Sequence, residues 1–263
     1  LDLEKASLRR DFTINSLAYD PINDKLHDPH GGVSDIKFKR LRHISKHFSE
    51  DSLRVYRAMQ FSSRLEFDIV DETIRLCRSI STDDLPKERI FEEFKKCLLD
   101  SKSPSIAFNY LEPLGLLSSF PELEQLKGCE QDPEWHPEGD VWMHTMLVLD
   151  QMAFLIKDLD SFHLEFMYAA LCHDFGKPST TIFKDGRWRS PNHEKAGVEP
   201  TKMFLSKLTD SKSFINSILP LIEHHLKPAL LYNADIKDGV TDSAIRRLST
   251  KVSIEKLLVV ARA

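Results

Sequence analysis

Apolar residues recur at helical spacing along most of the chain. In residues 50–65, Leu53, Tyr56 and Leu65 lie on one broken apolar stripe, and Ser49 can cap the helix that this stripe predicts. The two acidic residues at its start suit the positive end of a helix dipole. The same reasoning predicts helices over 71–80, 86–99, 106–114, 140–158, 162–174, 194–208, 212–226, 241–250 and 253–262, with a polar connection over 127–139.

The first 48 residues have a different pattern. Residues 11–19 are apolar and partly β-branched, a turn-rich segment follows, and residues 26–29 can form a return strand, so a β-hairpin is predicted. Residues 41–44 predict another strand. Because so small a β region cannot bury a core alone, we expect it to be the edge of a larger sheet domain that begins upstream of Leu1.

Composition sets broad limits on the class of protein. With 263 residues, the chain can form one large domain or two of ordinary size, and 29% of its residues are charged, as in folded globular proteins. Its four cysteines are scattered without a C-x-x-C pair, and no apolar run approaches the roughly 20 residues that span a bilayer. No signal peptide is evident. We therefore expect a reduced, cytoplasmic protein without a membrane partner.

The distribution of charge allows local binding of phosphates. A formal net charge of −5 argues against binding polyanions over the whole surface. Basic residues nevertheless cluster just before the helix predicted over 50–65, with Arg9 and Arg10 upstream. This cluster is either a phosphate-binding patch or an ordinary solvated surface, and it comprises Lys37, Lys39, Arg40, Arg42, His43, Lys46 and His47.

Asp51 and Arg54 are three residues apart on that same predicted helix and so share one of its faces. An isolated pair of this kind is commonly a weak ion pair on a solvated surface. The alternative is a fixed hydrogen-bond acceptor beside a fixed donor. The pair alone does not decide between the two interpretations.

Histidines are concentrated in the second half of the chain, where His173 and Asp174 end the apolar run 167–172. Imidazole nitrogens and carboxylate oxygens suit divalent metals, and a metal held in this way can acidify a water molecule for phosphoester hydrolysis. Any one of these histidines could be a helix cap or a surface residue, but their order indicates a metal site. The predicted ligands are His144, His173, Asp174, His193, His224 and His225.

This order of ligands resembles the HD-domain metal-dependent phosphohydrolases. The resemblance implies that His173 and Asp174 form a catalytic centre that uses a divalent transition metal or Mg²⁺. The family usually has one more aspartate on a later helix. Asp235, Asp238 and Asp242 are available, but they lie in a turn-rich region, so this ligand stays open.

Further segments match the motifs of one enzyme family in order. Residues 9–18 (RRDFTINSLA), 28–36 (DPHGGVSDI), 50–65 (EDSLRVYRAMQFSSRL) and 85–93 (LPKERIFEE) resemble the bacterial-type tRNA nucleotidyltransferase and poly(A) polymerase family. Residues 135–145 (WHPEGDVWMHT) are similar to the C-terminal body of the enterobacterial-type CCA-adding enzymes. The resemblance covers nearly the whole chain.

The resemblance implies a mainly α protein in three parts. Residues 1–48 would be the end of a nucleotidyltransferase head, with a residual β-hairpin or sheet edge. Residues 49–127 would form a helical neck that recognises the nucleotide, and residues 128–263 an all-α HD domain. The matching residues begin after the family's Gly-Gly-x-x-R-D segment and its metal-binding Asp-x-Asp pair, so we do not expect these residues alone to perform nucleotide transfer.

The implied function is addition of C and A to the tRNA 3′ end from CTP and ATP with Mg²⁺, together with hydrolysis of phosphoesters such as 2′,3′-cyclic or 2′-phosphates. Asp51 would accept a hydrogen bond from the amino group that cytosine and adenine share, and Arg54 would donate one to the adjacent ring nitrogen. The other implied nucleotide-binding residues are Arg10, Asp11, Asn15 and Arg57.

Two alternatives remain open at this point. One is a poly(A) polymerase of the same family, which the HD region disfavours. The other is a stand-alone HD phosphohydrolase whose first half binds RNA. The oligomeric state is not indicated by any of these patterns.

Overall fold

The computed structural model describes residues 3–238 and 240–263, except for the side chains of residues 3 and 233–238. Helices dominate this part of the chain, so the prediction of a mainly α fold is confirmed. The helices are α1 Leu3–Ser7, α2 Gly32–Lys37, α3 Leu53–Leu65, α4 Asp71–Arg78, α5 Lys87–Leu99, α6 Ser105–Asn109, α7 Pro121–Glu124, α8 Val141–Leu155, α9 His163–Cys172, α10 Lys177–Thr180, α11 His193–Ala196, α12 Val198–Ser206, α13 Lys212–His224, α14 Lys227–Asp238, α15 Asp242–Ser249 and α16 Ile254–Arg262. None of the described helices is long and apolar enough to cross a membrane.

Short strands form three two-stranded sheets in the described ranges. Strands β1 and β2 pair in antiparallel fashion, as do β5 and β6, whereas β3 and β4 are parallel. The strands are β1 Ala18–Asp20, β2 Lys25–His27, β3 Arg40–Leu41, β4 Asp68–Ile69, β5 Ile182–Lys184 and β6 Arg187–Arg189.

The chain folds as two compact units, Leu1–Ser118 and Ser119–Ala263. The sequence-based division at residues 48 and 127 into three parts stays a prediction. The two units are described separately below.

The N-terminal hairpin forms, but it is shorter than the sequence predicts. Residues 13–15 form a 3₁₀ turn instead of a strand. Local side-chain bonds explain the difference, because Asp11 Oδ1 accepts a hydrogen bond from the Phe12 amide at 2.8 Å and the Ser16 hydroxyl donates to the Thr13 carbonyl at 2.6 Å. Of residues 11–17, Phe12 still forms a single bridge with His43.

Helix α3 is the centre of the first unit. It begins at Leu53 and not near Ser49, because residues 46–50 form a separate 3₁₀ turn and Asp51 is extended. Its inner face is fully buried, and Tyr56 lies 6.2 Å from Phe94 of α5 between ring centroids. The opposite face remains available to carry polar groups.

Helix α9 is the centre of the second unit. Residues 167–172 are all buried, as expected for a helix that is apolar on every side. Helix α8 begins at Val141, where Asp140 Oδ1 caps it by accepting from the Met143 amide at 2.9 Å. The helix predicted over 194–208 is divided into α11 and α12 at Gly197.

Two features of the second unit differ from the sequence predictions. The prediction of an all-α region misses the β5–β6 hairpin, whose tip Asp185-Gly186 has positive φ at both residues (53° and 76°). Residues 227–238 form a helix and not a turn-rich segment. The candidate ligands Asp235 and Asp238 lie outside the described side chains.

Candidate functional site

Four histidines and one aspartate converge in the second unit. The Nε2 atoms of His173, His193 and His144 lie 3.1, 3.2 and 3.7 Å from the carboxylate oxygens of Asp174. His225 joins them, with its ring centroid 5.5 Å from that of His173. The structure thus brings together five of the six residues that the sequence predicts as metal ligands.

Each candidate ligand lies within a helix or directly at one of its ends. His144 lies within α8, His173 and Asp174 directly follow α9, His193 begins α11, and His225 directly follows α13. The segments that follow α9 and contain α11 approach closely because glycines line the contact.

Gly176 makes this approach possible. A Cβ atom at Gly176 would lie 2.0 Å from the His193 carbonyl oxygen and 2.5 Å from the Gly197 nitrogen. Its φ of −84° is ordinary for any residue. The structural role of Gly176 is to let two backbones meet beside Asp174.

Backbone carbonyls fix the tautomers of three of the histidine rings. The Nδ1 atoms of His173, His193 and His225 each lie 2.8 Å from a carbonyl oxygen, of Ala170, Ser190 and Ile222 respectively. A carbonyl oxygen only accepts, so each Nδ1 carries the proton that it donates. In the neutral ring, the Nε2 lone pair is then directed into the cluster, as metal ligation requires.

Glu138 gives His144 the same orientation. Its Oε1 atom lies 2.8 Å from His144 Nδ1 and 3.0 Å from His136 Nδ1. Burial opposes ionisation, but the hydrogen bonds from its own backbone and from the two histidines hold the pKa of Glu138 below its usual value. Glu138 and His136 are additions to the sequence prediction, although both lie in the quoted segment 135–145.

Asp174 is buried yet ionised. Burial favours the neutral acid, but the charges of His173 and Lys177 hold the pKa of Asp174 well below its usual value. Lys177 Nζ lies 2.7 Å from Asp174 Oδ2 and donates to Gln131 Oε1 at 2.6 Å. Lys177 is another group that the sequence analysis missed, and the signal was its position one helical turn after Asp174.

Two of the rings are neutral at physiological pH. Burial, reinforced by the nearby charge of His173, lowers the pKa of His144 and of His225 to about 4. Burial also disfavours the charged form of His193, but its bond to Asp174 raises its pKa above the usual value. A cation would replace a proton at that ring.

The donor set fits a divalent metal. Among the described residues, one ligand atom from each of His144, His173 and Asp174 lies within 4.8 Å of the others, and the same is true of Asp174, His193 and His225. Asp174 Oδ2 is buried and lies 2.7 Å from Lys177 Nζ and 3.1 Å from His173 Nε2, so a cation bound to this oxygen would share it with the lysine. Three or four imidazoles with one carboxylate suit Zn²⁺, Mn²⁺ or Fe²⁺ better than an all-oxygen Mg²⁺ site.

His224 does not join these ligands. It is buried, and its Nδ1 atom has no hydrogen-bond partner among the described residues. The candidate Asp242 lies in the first turn of α15, is exposed, and does not line the cavity beside the cluster. The geometry leaves both of these predicted ligands outside the histidine cluster.

The cluster opens into a cavity of about 440 Å³. This volume lies within the range that accommodates small ligands. Besides the ligands, its lining includes Gln131, Trp135, His136, Lys177 and Trp188.

A second pocket, of about 490 Å³, lies in the first unit. It is lined by all six residues that the motifs predict as nucleotide-binding and, in addition, by Leu53, Phe61 and Arg89. The six are Arg10, Asp11, Asn15, Asp51, Arg54 and Arg57.

Asp11 is the centre of a hydrogen-bond network in this pocket. Arg57 Nε donates to Asp11 Oδ2 at 2.9 Å, and Asn15 Nδ2 donates to Asp11 Oδ1 at 2.8 Å. Burial raises the pKa of Asp11, but these two partners outweigh it and hold that pKa below the usual value. Arg10 Nη1 donates to the Asn15 carbonyl at 2.6 Å, which leaves the rest of its guanidinium on the exposed side of the pocket.

The side chains of Asp51 and Arg54 are not paired with each other in any described bond, although the Arg54 amide donates to the Asp51 carbonyl at 3.0 Å. Arg54 donates to the carbonyls of His47 at 2.6 Å and Arg9 at 2.5 Å, so its guanidinium is held in one orientation. Asp51 instead lies 3.3 Å from Nη2 of Arg89, a residue of α5. The sequence analysis quotes Arg89 in a motif but assigns it no role, and its contact with Asp51 is apparent only from the fold.

Two sequence families match parts of the chain. Residues 2–42 match the family described as "Poly A polymerase head domain", and residues 66–127 match "Probable RNA and SrmB- binding site of polymerase A". The second match spans the helices α4 to α7 of the fold.

Curated relatives cover most of the chain. A Multifunctional CCA protein of Pasteurella multocida is 41% identical over 210 residues, which are 77% of this chain and 49% of the relative. A Multifunctional CCA protein of Xylella fastidiosa is 37% identical over 233 residues, 85% of this chain and 54% of the relative. The chain therefore spans about half the length of the curated relatives it matches.

Solved structures share the fold. A tRNA-processing enzyme in an apo form aligns over 99% of this chain and 67% of its own, with a TM-score of 0.62 and 19% identity. A CCA-adding enzyme in complex with CTP aligns over 97% of this chain and 57% of its own, with a TM-score of 0.56 and 18% identity. At these identities the similarity shows a common fold.

Proposed function

Because the chain belongs to the tRNA nucleotidyltransferase and poly(A) polymerase family, we propose that it is part of a CCA-adding enzyme that extends the tRNA 3′ end from CTP and ATP. One observation carries this proposal. Two separate sequence motifs, residues 9–18 and 50–65, contribute six nucleotide-binding candidates to a single pocket of the first unit. Mg²⁺ is the expected cofactor for the transfer step.

The pocket supports recognition of the base by hydrogen bonds. The guanidinium of Arg54 is held by two backbone carbonyls, so its remaining N–H groups are oriented before a nucleotide arrives. Asp51 keeps free acceptor capacity beside Arg89, since a carboxylate accepts about four hydrogen bonds. Cytosine and adenine both offer an amino donor next to a ring acceptor, whereas uracil and guanine offer the reverse.

Nucleotide binding to this chain tests the proposal. We expect CTP and ATP to bind more tightly than UTP and GTP, and the double variant Asp51→Ala with Arg54→Ala to lose that preference. Arg75→Ala is the control, because Arg75 is an exposed arginine of the same unit outside the pocket. Unchanged selection in the double variant would refute the base-reading role.

For the second unit, we propose a metal-dependent HD phosphohydrolase activity on phosphoesters such as 2′,3′-cyclic or 2′-phosphates. The supporting observation is the convergence of the Nε2 atoms of His144, His173 and His193 on Asp174, with His225 grouped beside them. His144, His173, Asp174, His193 and His225 would hold the metal. When bound, such a metal supplies an acidified water and withdraws charge from a phosphoryl oxygen.

The chain's own groups have defined tasks in this proposal. Asp174 presents both carboxylate oxygens to the cluster. The charges of His173 and Lys177 keep it ionised by holding its pKa well below the usual value. Lys177 places a cation at the floor of the cavity, where a phosphate would otherwise meet the charge of Asp174. The carbonyls of Ala170, Ser190 and Ile222 keep three rings from rotating.

Metal content and hydrolysis test this second proposal. We expect the purified chain to bind Mn²⁺ or Zn²⁺ and to hydrolyse 2′,3′-cyclic AMP, and we expect Asp174→Asn to lose both properties. Asp160→Asn replaces an exposed aspartate of the same unit and serves as control. Retained metal and activity in Asp174→Asn, with an unchanged circular dichroism spectrum, would refute the site.

A further inference from the structure

The β5–β6 hairpin places an aromatic side chain on the metal-site cavity. Phe183 and Trp188 are directly paired across the two strands, with ring centroids 5.1 Å apart, so they share one face of the hairpin. Trp188 lines the cavity together with His193 and Lys177. The proposed metal chemistry gives this indole no task.

The hairpin is fastened to the metal site at its base. Thr181 and Ser190, which flank the two strands, are joined by a 2.7 Å hydrogen bond between their hydroxyls. Thr181 also donates to the Lys177 carbonyl at 2.8 Å, and the Ser190 carbonyl accepts from His193 Nδ1. The indole of Trp188 therefore has a fixed position relative to a predicted ligand and to the buried lysine.

A second contact links the hairpin to another tryptophan of the same cavity. Arg187, next to Trp188, forms an ion pair of 2.7 Å with Glu134, next to Trp135. Trp135 is 72% exposed although it lines the cavity. Two indoles at the mouth of a cation-binding cavity are unusual for a site that takes only a small inorganic ester, because large exposed aromatic rings otherwise cost free energy in water.

We propose that Trp188 forms a nucleobase subsite beside the phosphoryl site, so that this residue favours a nucleoside phosphoester over a simple one. The proposal rests on the phosphohydrolase function proposed above and assigns the residue that binds the base. The cluster takes the phosphoryl group, and the aromatic face of the hairpin stacks on the adjacent base, which every nucleotide offers irrespective of sequence.

Kinetics with two matched substrates test the subsite. Adenosine 2′-monophosphate and glycerol 2-phosphate are both phosphomonoesters, but only the first has a base. We expect Trp188→Ala to raise the KM for adenosine 2′-monophosphate roughly tenfold or more, to change its kcat less than twofold, and to leave kcat/KM for glycerol 2-phosphate unchanged. Trp188→Phe should restore most of the loss, because a phenyl ring still stacks.

Phe154→Ala is the matched control. Phe154 is an exposed aromatic residue of the same unit that does not line the cavity, so it should leave both substrates unaffected. Equal losses for both substrates in Trp188→Ala would mean that Trp188 only supports the fold, and no loss for either would mean that the base is not bound there. Either result overturns the proposal.

Fluorescence separates this inference from the function on which it rests. The chain has three tryptophans, and Trp142 is buried. We expect adenosine 2′-monophosphate to quench the fluorescence of the chain in EDTA, where no hydrolysis occurs, and Trp188→Phe to remove most of the quenching while Trp135→Phe retains part of it. If adenosine 2′-monophosphate quenches the fluorescence but is not hydrolysed in added Mn²⁺, the phosphohydrolase function is rejected and the base subsite is kept. If both substrates are hydrolysed but adenosine 2′-monophosphate causes no quenching that depends on Trp188, the phosphohydrolase function is kept and the base subsite is rejected.

Self-association is the competing use of the aromatic face. Sedimentation velocity compares the chain with the Phe183→Ala and Trp188→Ala variants. The base subsite predicts equal sedimentation coefficients for all three. A shift towards a smaller species in the variants would assign this face to a second copy of the chain and overturn the proposal.

Discussion

At the scale of single residues, the second unit shows how backbone carbonyls determine the chemistry of a histidine ring. A ring without a partner at Nδ1 interconverts between tautomers, whereas the rings of His173, His193 and His225 each donate to a carbonyl. His144 differs, because its partner is the side chain of Glu138. Mutation can replace the side chain of Glu138 but cannot remove a backbone carbonyl. The effect of ring orientation can therefore be tested at His144 by mutating Glu138.

Removal of Glu138 should weaken the metal site without removing a ligand. In Glu138→Ala, the His144 ring loses the acceptor that fixes its tautomer, and we expect affinity for Mn²⁺ to fall about 10- to 100-fold, measured by isothermal titration calorimetry. Glu130→Ala, an exposed glutamate of the same connection, should leave affinity unchanged. Equal affinities in the two variants would show that the ring is oriented by other contacts.

Asp11 should make stability depend on pH in the acidic range. Its pKa in the folded chain is lower than in the unfolded chain, so the stabilisation is present at higher pH and is lost as the pH falls through the folded pKa. We expect Asp11→Asn to lower the free energy of unfolding in urea above a pH of about 4, and this deficit to shrink at lower pH.

Asp84→Asn is the control for this measurement, since Asp84 is exposed and lies in the same unit. It should show a small effect without a trend in pH. A deficit in Asp11→Asn that persists unchanged at low pH would contradict the assignment, because the loss would then arise from something other than the carboxylate charge.

Residue types and motif order were sufficient to predict most of the side chains that the fold brings together at each candidate site. Asp51 and Arg54 line one pocket, as the family resemblance implies, and His173 and Asp174 lie together at the end of α9. The partners of these residues could not be predicted, since Arg89 reaches Asp51 from α5 and Glu138 reaches His144 from a connection. Such contacts depend on how separate segments pack, which a single sequence does not encode locally.

At the scale of secondary-structure elements, close backbone packing beside Asp174 depends on one missing side chain. We expect Gly176→Ala to lower the free energy of unfolding by about 1–3 kcal/mol, because the methyl group would overlap the His193 carbonyl. Metal affinity should fall as well, since the overlap separates His193 from Asp174. Urea unfolding and calorimetry measure the two effects.

Gly128→Ala provides a contrast in the same unit. A Cβ atom there meets nothing within 4 Å, but φ is +70°, so its cost is backbone strain alone, and metal affinity should be unaffected. If Gly176→Ala behaves like Gly128→Ala, the close approach is not what sets the distance between Asp174 and His193.

Secondary-structure elements were predicted correctly where the apolar periodicity extends over many residues. The predictions were wrong where side-chain hydrogen bonds or tight turns determine the local structure. Helices α8, α9 and α13 were predicted within a few residues because their apolar runs are long. The β5–β6 hairpin was missed, although Asp185-Gly186 between two short runs is a common signal for a hairpin turn. Residues 11–19 were predicted as a strand because they are apolar and partly β-branched, but the hydrogen bonds that Asp11 accepts from the Phe12 amide and Ser16 donates to the Thr13 carbonyl favour a turn.

At the scale of the whole molecule, the described residues form a candidate pocket in each of the two compact units, and each of these pockets is built from residues of its own unit. The family matches fall in the first unit and extend into the start of the second, whereas the histidine cluster lies further along the chain. Nucleotide selection and phosphoester hydrolysis should therefore be separable by mutation.

Reciprocal variants test this separation. We expect Asp174→Asn to bind CTP with unchanged affinity and the Asp51→Ala and Arg54→Ala double variant to hydrolyse 2′,3′-cyclic AMP at the rate of the unmodified chain. Filter binding of CTP and chromatographic detection of the adenosine monophosphate formed from 2′,3′-cyclic AMP measure the two activities in the same preparations. A loss of CTP binding in Asp174→Asn, in a variant whose thermal unfolding is unchanged, would show that the two sites are coupled.

The shared bond between Ser190 and His193 limits how the chain around the β5–β6 hairpin can vary in length. Two residues added at the Asp185-Gly186 tip keep the strand alternation and leave Ser190 in place, so the tip is suited to insertion of a peptide tag. One residue added between Arg189 and Ser190 turns the carbonyl away from the ring. Length variation at the base of this hairpin is then constrained by metal binding, while the tip is free to change.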